Sequence, residues 1–212
     1  RMRPLTDHLP KPLLKVNGQA LIEYHLRALK KAGYTDVVIN HAWLGKTLVD
    51  TLGNGDRYGL NIHYSAEKEA LETAGGIIHA MPIIQSLLGN SECFSVINGD
   101  IFCDITLAEL PTHLDNSLAH LVLVNNPSHN EKGDFSLNNN KVSRELKNQF
   151  TFSGIAVYHK NLFRGLTDDK QPLAPLLFDL AEQDKLSGQL YRGKWVDVGT
   201  PERLAALNEE CR

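Results

Sequence analysis

Cysteine is scarce in this chain, and its few cysteines form no familiar metal-binding or disulfide pattern. The 212 residues include three cysteines, Cys93, Cys103 and Cys211, with no C-x-x-C pair among them. This usage is typical of a reducing compartment, so we predict a cytoplasmic protein whose cysteines pack in the core. The nine histidines contain no H-x-x-x-H pair, which leaves a zinc enzyme without support.

Long apolar runs and an excess of charge of one sign are also missing. No run approaches the length of a membrane span and no signal peptide is visible, so we expect no membrane partner. The formal net charge is −3, which gives no general attraction to nucleic acid. Ser153 lacks the glycine two residues before it that a G-x-S-x-G elbow requires, and this disfavours hydrolase chemistry.

Apolar segments of two kinds alternate along the chain. Helical spacing predicts helices at 19–32, 73–88, 107–114, 174–184 and after Thr200. Short β-branched runs predict strands at 37–39, 61–64, 94–97, 120–124, 150–158 and 194–198. This alternation indicates parallel strands joined by crossover helices. We therefore predict one domain over residues 1–212 with an α/β fold, a Rossmann-like and mostly parallel twisted sheet with helices on both faces.

The pattern changes after Asn126. Residues 134–137 and 141–146 flank the run Asn138-Asn139-Asn140, which is a strong hairpin signal. A small mixed region is therefore expected beside the parallel sheet. In open α/β sheets ligands bind beyond the carboxyl ends of the strands, so the chemistry is expected there.

Lys11 lies between two prolines, Pro10 and Pro12. The prolines restrict the backbone and discourage helix, so the ammonium group could meet a phosphate with little loss of freedom. An exposed loop lysine between turn-forming prolines is the alternative interpretation.

The segment Glu72-Thr73-Ala74-Gly75-Gly76 opens a predicted helix, with Thr73 as a candidate N-cap. Glycines allow close approach of a ligand, and a helix N-terminus offers unpaired N–H donors. The alternative is a capped helix start that packs tightly on the sheet.

Two aspartates follow apolar strands. Asp100 comes after Val96-Ile97-Asn98-Gly99, and Asp197 lies near the end of the Trp195 strand, just before a helix. Hard carboxylate oxygens at strand ends suit Mg²⁺. Ordinary turn aspartates are the alternative, but two of them at strand ends make a shared ion the better interpretation.

The order of these motifs resembles the sugar-1-phosphate nucleotidyltransferase superfamily. That family has a first strand, then G-x-G-x-R-[LM]-x-P-L-T, then P-K-P-L. Residues 1–6 match the second half of the first motif, and residues 10–13 match the second motif. The missing glycines and the first strand are expected to precede Arg1. The likeness continues through Thr73-Ala74-Gly75, Asn98-Gly99-Asp100 and Asp197-Val198-Gly199-Thr200, although Glu72 stands where relatives usually carry glycine.

The resemblance implies a role for each matching residue. Arg1 and Lys11 are implied to contact phosphates, and Asp100 and Asp197 to hold Mg²⁺. The residues implied to bind the nucleotide are Glu67, Thr73, Gly75, Gly76, Asn98 and Gly99. The substrates implied are a nucleoside triphosphate and a sugar 1-phosphate, and pyrophosphate is released.

A narrower likeness points to the members of this family that transfer UMP from UTP to N-acetylmuramic acid α-1-phosphate in peptidoglycan recycling. It is carried by the segments 40–45, 121–127, 133–135, 151–155 and 191–195. The residues assigned to the sugar on this basis are Asn126, Ser153, Gly154, Arg192 and Lys194. Mannose-1-phosphate guanylyltransferase and glucose-1-phosphate thymidylyl- or uridylyltransferase activities stay open, as does a non-catalytic sugar-nucleotide sensor.

Overall fold

The computed structural model describes residues 2–145, 147 and 149–210. The α-helices are α1 (Leu21–Lys31), α2 (Gly45–Leu52), α3 (Glu72–Leu87), α4 (Leu173–Glu182) and α5 (Pro201–Glu210). The strands of the first half are β1 (Lys15–Val16), β2 (Gln19–Ala20), β3 (Asp36–His41), β4 (Asn61–Ala66), β5 (Cys93–Ile97) and β6 (Ile101–Cys103). Those of the second half are β7 (Ala119–Val124), β8 (Phe135–Asn138), β9 (Lys141–Ser143), β10 (Gln149–His159), β11 (Leu186–Tyr191) and β12 (Trp195–Asp197). The predicted α/β class is confirmed.

The chain divides into two compact units that interleave along the sequence. The first unit takes the chain up to Ala70, then Gly99–Glu109, and then the chain from Lys194 onward. The second unit takes Leu71–Asn98 and Leu110–Gly193. The prediction of one domain stays a prediction.

The first unit is organised around α1. Its apolar stripe buries Leu21 against one cluster, which includes Val16, Phe102 and Val198, and buries Leu26 against another. The second cluster also covers the parallel pair of β3 and β4. Because α1 contributes to both clusters, one amphipathic helix holds the proline loop, β6 and β12 on a common core.

The second unit contains a six-stranded sheet in the order β5-β10-β7-β11-β9-β8. Strands β7 and β11 pair in parallel, whereas β10 pairs antiparallel with both β5 and β7. Strands β5, β7 and β11 therefore point the same way, as the expected parallel sheet requires, but β10 is inserted in reverse between two of them. Five of the six strand pairings in this sheet are antiparallel, and three of those five involve β10.

Strand β10 changes register in its middle. Phe152 lies opposite Leu123 and Ala156 opposite Leu121, so three residues of β10 stand against one of β7. Gly154 sits in this bulge with φ of +82°, a left-handed conformation that favours glycine. The predicted hairpin is confirmed as β8 and β9, and Asn139 and Asn140 adopt positive φ at its tip.

One predicted helix and the start of another are wrong. The helix expected at 107–114 is a single 3₁₀ turn over Leu107–Glu109. The helix expected from Gln19 begins at Leu21, because Gln19 and Ala20 pair with β1 as a short hairpin. In the part of the chain that the structure describes, no helix is long and apolar enough to cross a bilayer.

Candidate active site

The proline-flanked lysine is held in a short 3₁₀ turn, Lys11–Leu13, which follows Pro10. Leu13 and Leu14 are buried and anchor the turn in the core of the first unit. The Lys11 ammonium group lies 2.6 Å from Oδ2 of Asp100. A Cβ atom on Gly99 would lie 3.1 Å from Cγ of Pro12, so glycine permits the close approach of the two loops.

The two aspartates lie at the end of one ladder. Strands β6 and β12 pair antiparallel, with Asp197 opposite Ile101. The N–H of Val198 donates to the carbonyl oxygen of Asp100 at 3.0 Å. The structure therefore places Asp100, directly before β6, beside Asp197 at the end of β12.

Arg203 completes this group of charges. Its Nη1 atom lies 2.6 Å from Oδ2 of Asp197 and donates to the Asp197 carbonyl oxygen at 3.1 Å. Helix α5 begins at Pro201, as predicted, and the N–H of Arg203 donates to Thr200 Oγ1 at 3.4 Å. A Cβ atom on Gly199 would stand 2.9 Å from Nη2 of Arg203. Glycine there lets the guanidinium group reach back over the turn.

These four residues, Lys11, Asp100, Asp197 and Arg203, form the carboxylate centre. Each carboxylate has a cationic partner at 2.6 Å, and the four side chains are 25–37% exposed. Among the described residues, no three or more His, Cys, Asp or Glu side chains are grouped to hold a metal ion. Two half-exposed carboxylates fit Mg²⁺, which takes one or two carboxylates and completes its shell with water and phosphate oxygens.

A buried histidine contacts the backbone of the residue that follows Asp100. His25 on α1 is 7% exposed, and its Nε2 atom lies 2.9 Å from the carbonyl oxygen of Ile101. Burial lowers the pKa of His25, so the ring is neutral at pH 7 and donates from Nε2 to this carbonyl. His25 is therefore a packing residue of α1 that also bonds the strand next to Asp100.

Two N–H groups in the first turn of α3 are already hydrogen-bonded within the protein. The helix begins at Glu72, so the prediction of Thr73 as its N-cap is wrong, and Thr73 is exposed. The N–H groups of Ala74 and Gly75 both donate to the carbonyl oxygen of Gln171. This carbonyl takes two donors of the first turn that a ligand could otherwise have used.

The other residues predicted to bind the nucleotide are divided between the two units. Gly75 and Gly76 are buried, and a Cβ atom on Gly75 would collide with the carbonyl oxygen of Asp169. In the second unit, the N–H of Asn98 donates to the Gly154 carbonyl at 2.9 Å, and its side-chain amide covers the face of Gly154. In the first unit, Glu67 follows β4, and its Oε1 accepts from Asn40 at 3.3 Å.

Several residues predicted to bind the sugar have partners inside the protein. The Asn126 amide donates to the carbonyls of Glu131 and Gln149 at 3.0 Å and accepts from Thr151. Ser153 is buried, and its Oγ accepts from the N–H of Ile155.

The two basic residues of the sugar prediction differ in their surroundings. Arg192 is exposed. The Lys194 ammonium group lies 3.2 Å from Glu210 on α5, within the first unit. Arg1 lies outside the described residues.

Known proteins resemble this chain in sequence. Residues 1–137 match the family described as nucleotidyl transferase. The chain is 47% identical over 216 residues to an N-acetylmuramate alpha-1-phosphate uridylyltransferase of Neisseria meningitidis serogroup B, with 96% of this chain and 90% of that protein covered. It is 29% identical to a mannose-1-phosphate guanyltransferase of Yarrowia lipolytica, covering 95% of this chain but 58% of that protein.

Solved structures share the fold at low sequence identity. A putative glucose-1-phosphate thymidylyltransferase from Bacillus anthracis, in complex with a sucrose, superposes with a TM-score of 0.81 at 20% identity, covering 100% of this chain and 90% of that one. HddC from Yersinia pseudotuberculosis, complexed with GMP-PN, gives a TM-score of 0.77 at 17% identity, covering 100% and 94%.

Proposed function

Since the chain belongs to the nucleotidyl transferase family, we propose that it transfers UMP from UTP to N-acetylmuramic acid α-1-phosphate. The products are UDP-N-acetylmuramic acid and pyrophosphate, and the reaction belongs to peptidoglycan recycling in the cytoplasm. The observation that carries the enzymatic assignment is the carboxylate centre, where Asp100 and Asp197 end one ladder beside Lys11. The choice of substrates rests on the 47% identical uridylyltransferase.

The reaction needs positioned charge more than proton transfer. An oxygen of the sugar 1-phosphate forms a bond to the α-phosphorus of UTP, and the bond from that phosphorus to the β-phosphate oxygen breaks as pyrophosphate leaves. The sugar phosphate is already ionised at pH 7, so no general base has to remove a proton. Both reactants are anions, so cationic groups must offset their repulsion.

Residues of the chain supply part of this positive charge and would hold the Mg²⁺ that supplies the rest. Asp100 and Asp197 would hold Mg²⁺, which when bound neutralises phosphate oxygens and polarises the reacting phosphorus. Lys11, 2.6 Å from Asp100, is placed to move its ammonium group from this carboxylate to a phosphate oxygen. Arg1, Glu67, Thr73, Gly75, Gly76, Asn98 and Gly99 remain predicted phosphate and nucleotide contacts, and Asn126, Ser153, Gly154, Arg192 and Lys194 predicted sugar contacts.

A mannose-1-phosphate guanylyltransferase is the second candidate. The Yarrowia lipolytica relative, 29% identical over 95% of this chain, favours it. A non-catalytic sensor is disfavoured because the chain retains Lys11, Asp100 and Asp197 within one centre.

A screen of pyrophosphate release decides between these candidates. The full-length protein is incubated with Mg²⁺, each of four nucleoside triphosphates and a panel of sugar 1-phosphates. We expect the fastest turnover with UTP and N-acetylmuramic acid α-1-phosphate. N-acetylglucosamine 1-phosphate lacks the lactyl group, and a partner left unpaired costs about 1–3 kcal/mol, so its kcat/KM should be roughly 5- to 150-fold lower. Faster turnover with GTP would replace this assignment by the guanylyl one.

Lys11 is tested against a nearby lysine. Lys11→Met should lower turnover sharply, because it removes the only described ammonium group paired with Asp100. Lys15→Met is the matched control, since Lys15 is exposed on β1. Equal small effects of the two substitutions on pyrophosphate release would make Lys11 an ordinary loop lysine.

A further inference from the structure

The first unit contains a second concentration of charge. A pocket of about 640 Å³ is lined by Glu23, Arg27, Lys30, Lys31, Arg57 and Tyr58. Four of these side chains are cationic and one is anionic, although the whole chain has a formal net charge of −3. None of them belongs to the carboxylate centre, so this pocket is not explained by the proposed reaction.

The only carboxylate of the pocket is already engaged. Glu23 Oε1 accepts from the Tyr58 hydroxyl at 2.7 Å and from Arg57 Nη2 at 3.1 Å. Burial works against ionisation of Glu23, but the bonds from Tyr58 and the Ala20 N–H and the nearby arginines lower its pKa, so it stays charged. Burial and the Glu23 carboxylate raise the pKa of Tyr58 to about 12, so the phenol remains a donor.

This network fixes Arg57 in one orientation. Its guanidinium carbon lies 4.6 Å from the centre of the Tyr58 ring, a cation–π contact, while Glu23 holds one edge. An arginine fixed in this way loses little conformational freedom when it binds an anion. The other three cations form no close ion pair: within residues 2–145, 147 and 149–210, no carboxylate lies within 4 Å of Arg27, Lys30 or Lys31, although Arg27 interacts with Glu23 at longer range.

The helix dipole explains only part of this arrangement. Lys30 and Lys31 lie in the last turn of α1, where cations stabilise the negative end of the dipole. Arg27 lies one turn earlier. Arg57 comes from a separate 3₁₀ turn, Asp56–Tyr58. Cations from two elements that face one concave pocket indicate an anionic ligand.

We propose that this pocket binds a chain of two or three phosphates from a small molecule. Arginine forks suit bidentate contact with phosphate oxygens, and lysines supply point charges. The volume lies within the usual range of small-molecule sites, about 300–1,000 Å³. The phosphates can come from a free oligophosphate or from the tail of a nucleotide.

Two charge-matched double variants test the site. Lys30→Gln/Lys31→Gln removes two cations of the pocket, and Lys15→Gln/Lys46→Gln removes two exposed cations of the same unit outside it. Both are made with Lys11→Met, which weakens phosphate binding at the carboxylate centre. Binding of inorganic tripolyphosphate is measured by titration calorimetry at low salt without Mg²⁺. We expect the pocket variant to bind about tenfold more weakly than the control, because two charge-assisted contacts are lost.

The substituted lysines are exposed, so we expect both variants to keep their fold. Thermal unfolding of each variant checks this. A parallel titration with UTP identifies the source of the phosphates. An equal loss of UTP and tripolyphosphate binding assigns the tail of a nucleotide, and a loss of tripolyphosphate binding alone assigns a free oligophosphate. Equal tripolyphosphate affinity of the pocket and control variants would overturn the proposal, as would a loss confined to UTP.

Discussion

Arg203 fixes the position of Asp197 through two contacts from one nitrogen, to the carboxylate and to the carbonyl of the same residue. Asp197 is a proposed Mg²⁺ ligand, and residues that orient a metal ligand commonly contribute about 10- to 100-fold to affinity or activity. We expect Arg203→Gln to raise the Mg²⁺ concentration needed for half-maximal turnover by about that factor. Arg203→Lys should recover part of the loss, because it restores the charge but not both contacts.

The control for Arg203 is a measurement that does not depend on turnover. Mg²⁺ should raise the thermal midpoint of the unmodified protein without substrates, because a ligand of the native state stabilises it. The rise should be smaller for Arg203→Gln. If Mg²⁺ raised the midpoint of both proteins equally, Arg203 would have no part in positioning Asp197.

Single residues of the candidate site could be predicted when a local pattern marked them. Prolines mark Lys11, and apolar strands mark Asp100 and Asp197. Arg203 and His25 carry no such mark. Arg203 reaches back over a turn to Asp197, and His25 meets the Ile101 carbonyl 76 positions away. No spacing rule reaches that far along a chain.

At the scale of elements, the first turn of α3 is fitted to the loop at Asp169–Gln171. The Gly75 N–H bonds Gln171, and a Cβ atom at Gly75 would meet the Asp169 carbonyl. Gly75→Ala should therefore lower the free energy of unfolding by about 1–3 kcal/mol, although alanine is the better helix former by about 1 kcal/mol.

Urea unfolding measures this change, and Thr73→Ala, on the same turn but exposed, is the control. The control should leave stability nearly unchanged. If Gly75→Ala proved as stable as the original, the loop would have to move freely away from α3, and glycine would then have another purpose at this position.

Whole elements were predictable where hydrophobicity alone decided them. Strands β3, β5 and β7 are short apolar runs, and the asparagine run marks the β8–β9 hairpin. Strand β11 is not marked in this way: it reads Leu-Ser-Gly-Gln-Leu-Tyr, and Gly188 is there because Val142 and the Leu121 carbonyl lie against it. The reversed place of β10 between β5 and β7 likewise depends on tertiary packing, which no local pattern encodes.

At the scale of the whole molecule, the partly buried His120 makes stability depend on pH. Burial lowers the pKa of His120, whose ring nitrogens lie near Ser187 Oγ and Gln189 Oε1. The folded pKa lies below the ordinary value of 6.5, so the unfolded chain binds a proton first as pH falls. Stability is thus fully present above pH 6.5 and is lost as pH falls through the folded pKa.

We expect the free energy of unfolding to fall between pH 7 and pH 5, with a slope of up to about 1.4 kcal/mol per pH unit for each extra proton. His120→Gln should flatten this dependence, since glutamine does not titrate. The control is His113→Gln, because the His113 side chain is 82% exposed. Identical pH profiles for His120→Gln and the original protein, measured by chemical unfolding, would contradict the prediction.

The interleaving of the two units sets the order in which a nascent chain can acquire activity. Lys11 is translated before Asp100, and β12, which supplies Asp197 and pairs with β6, follows every segment of the second unit. Domains usually fold as they emerge from the ribosome. Here the second unit has all its segments before Lys194, whereas the carboxylate centre must wait for Asp197 and then Arg203. Ribosome-bound chains that stop before β12 would therefore lack Asp197 and Arg203, so the proposed transfer of UMP has to wait until β12 and the first turn of α5 have emerged.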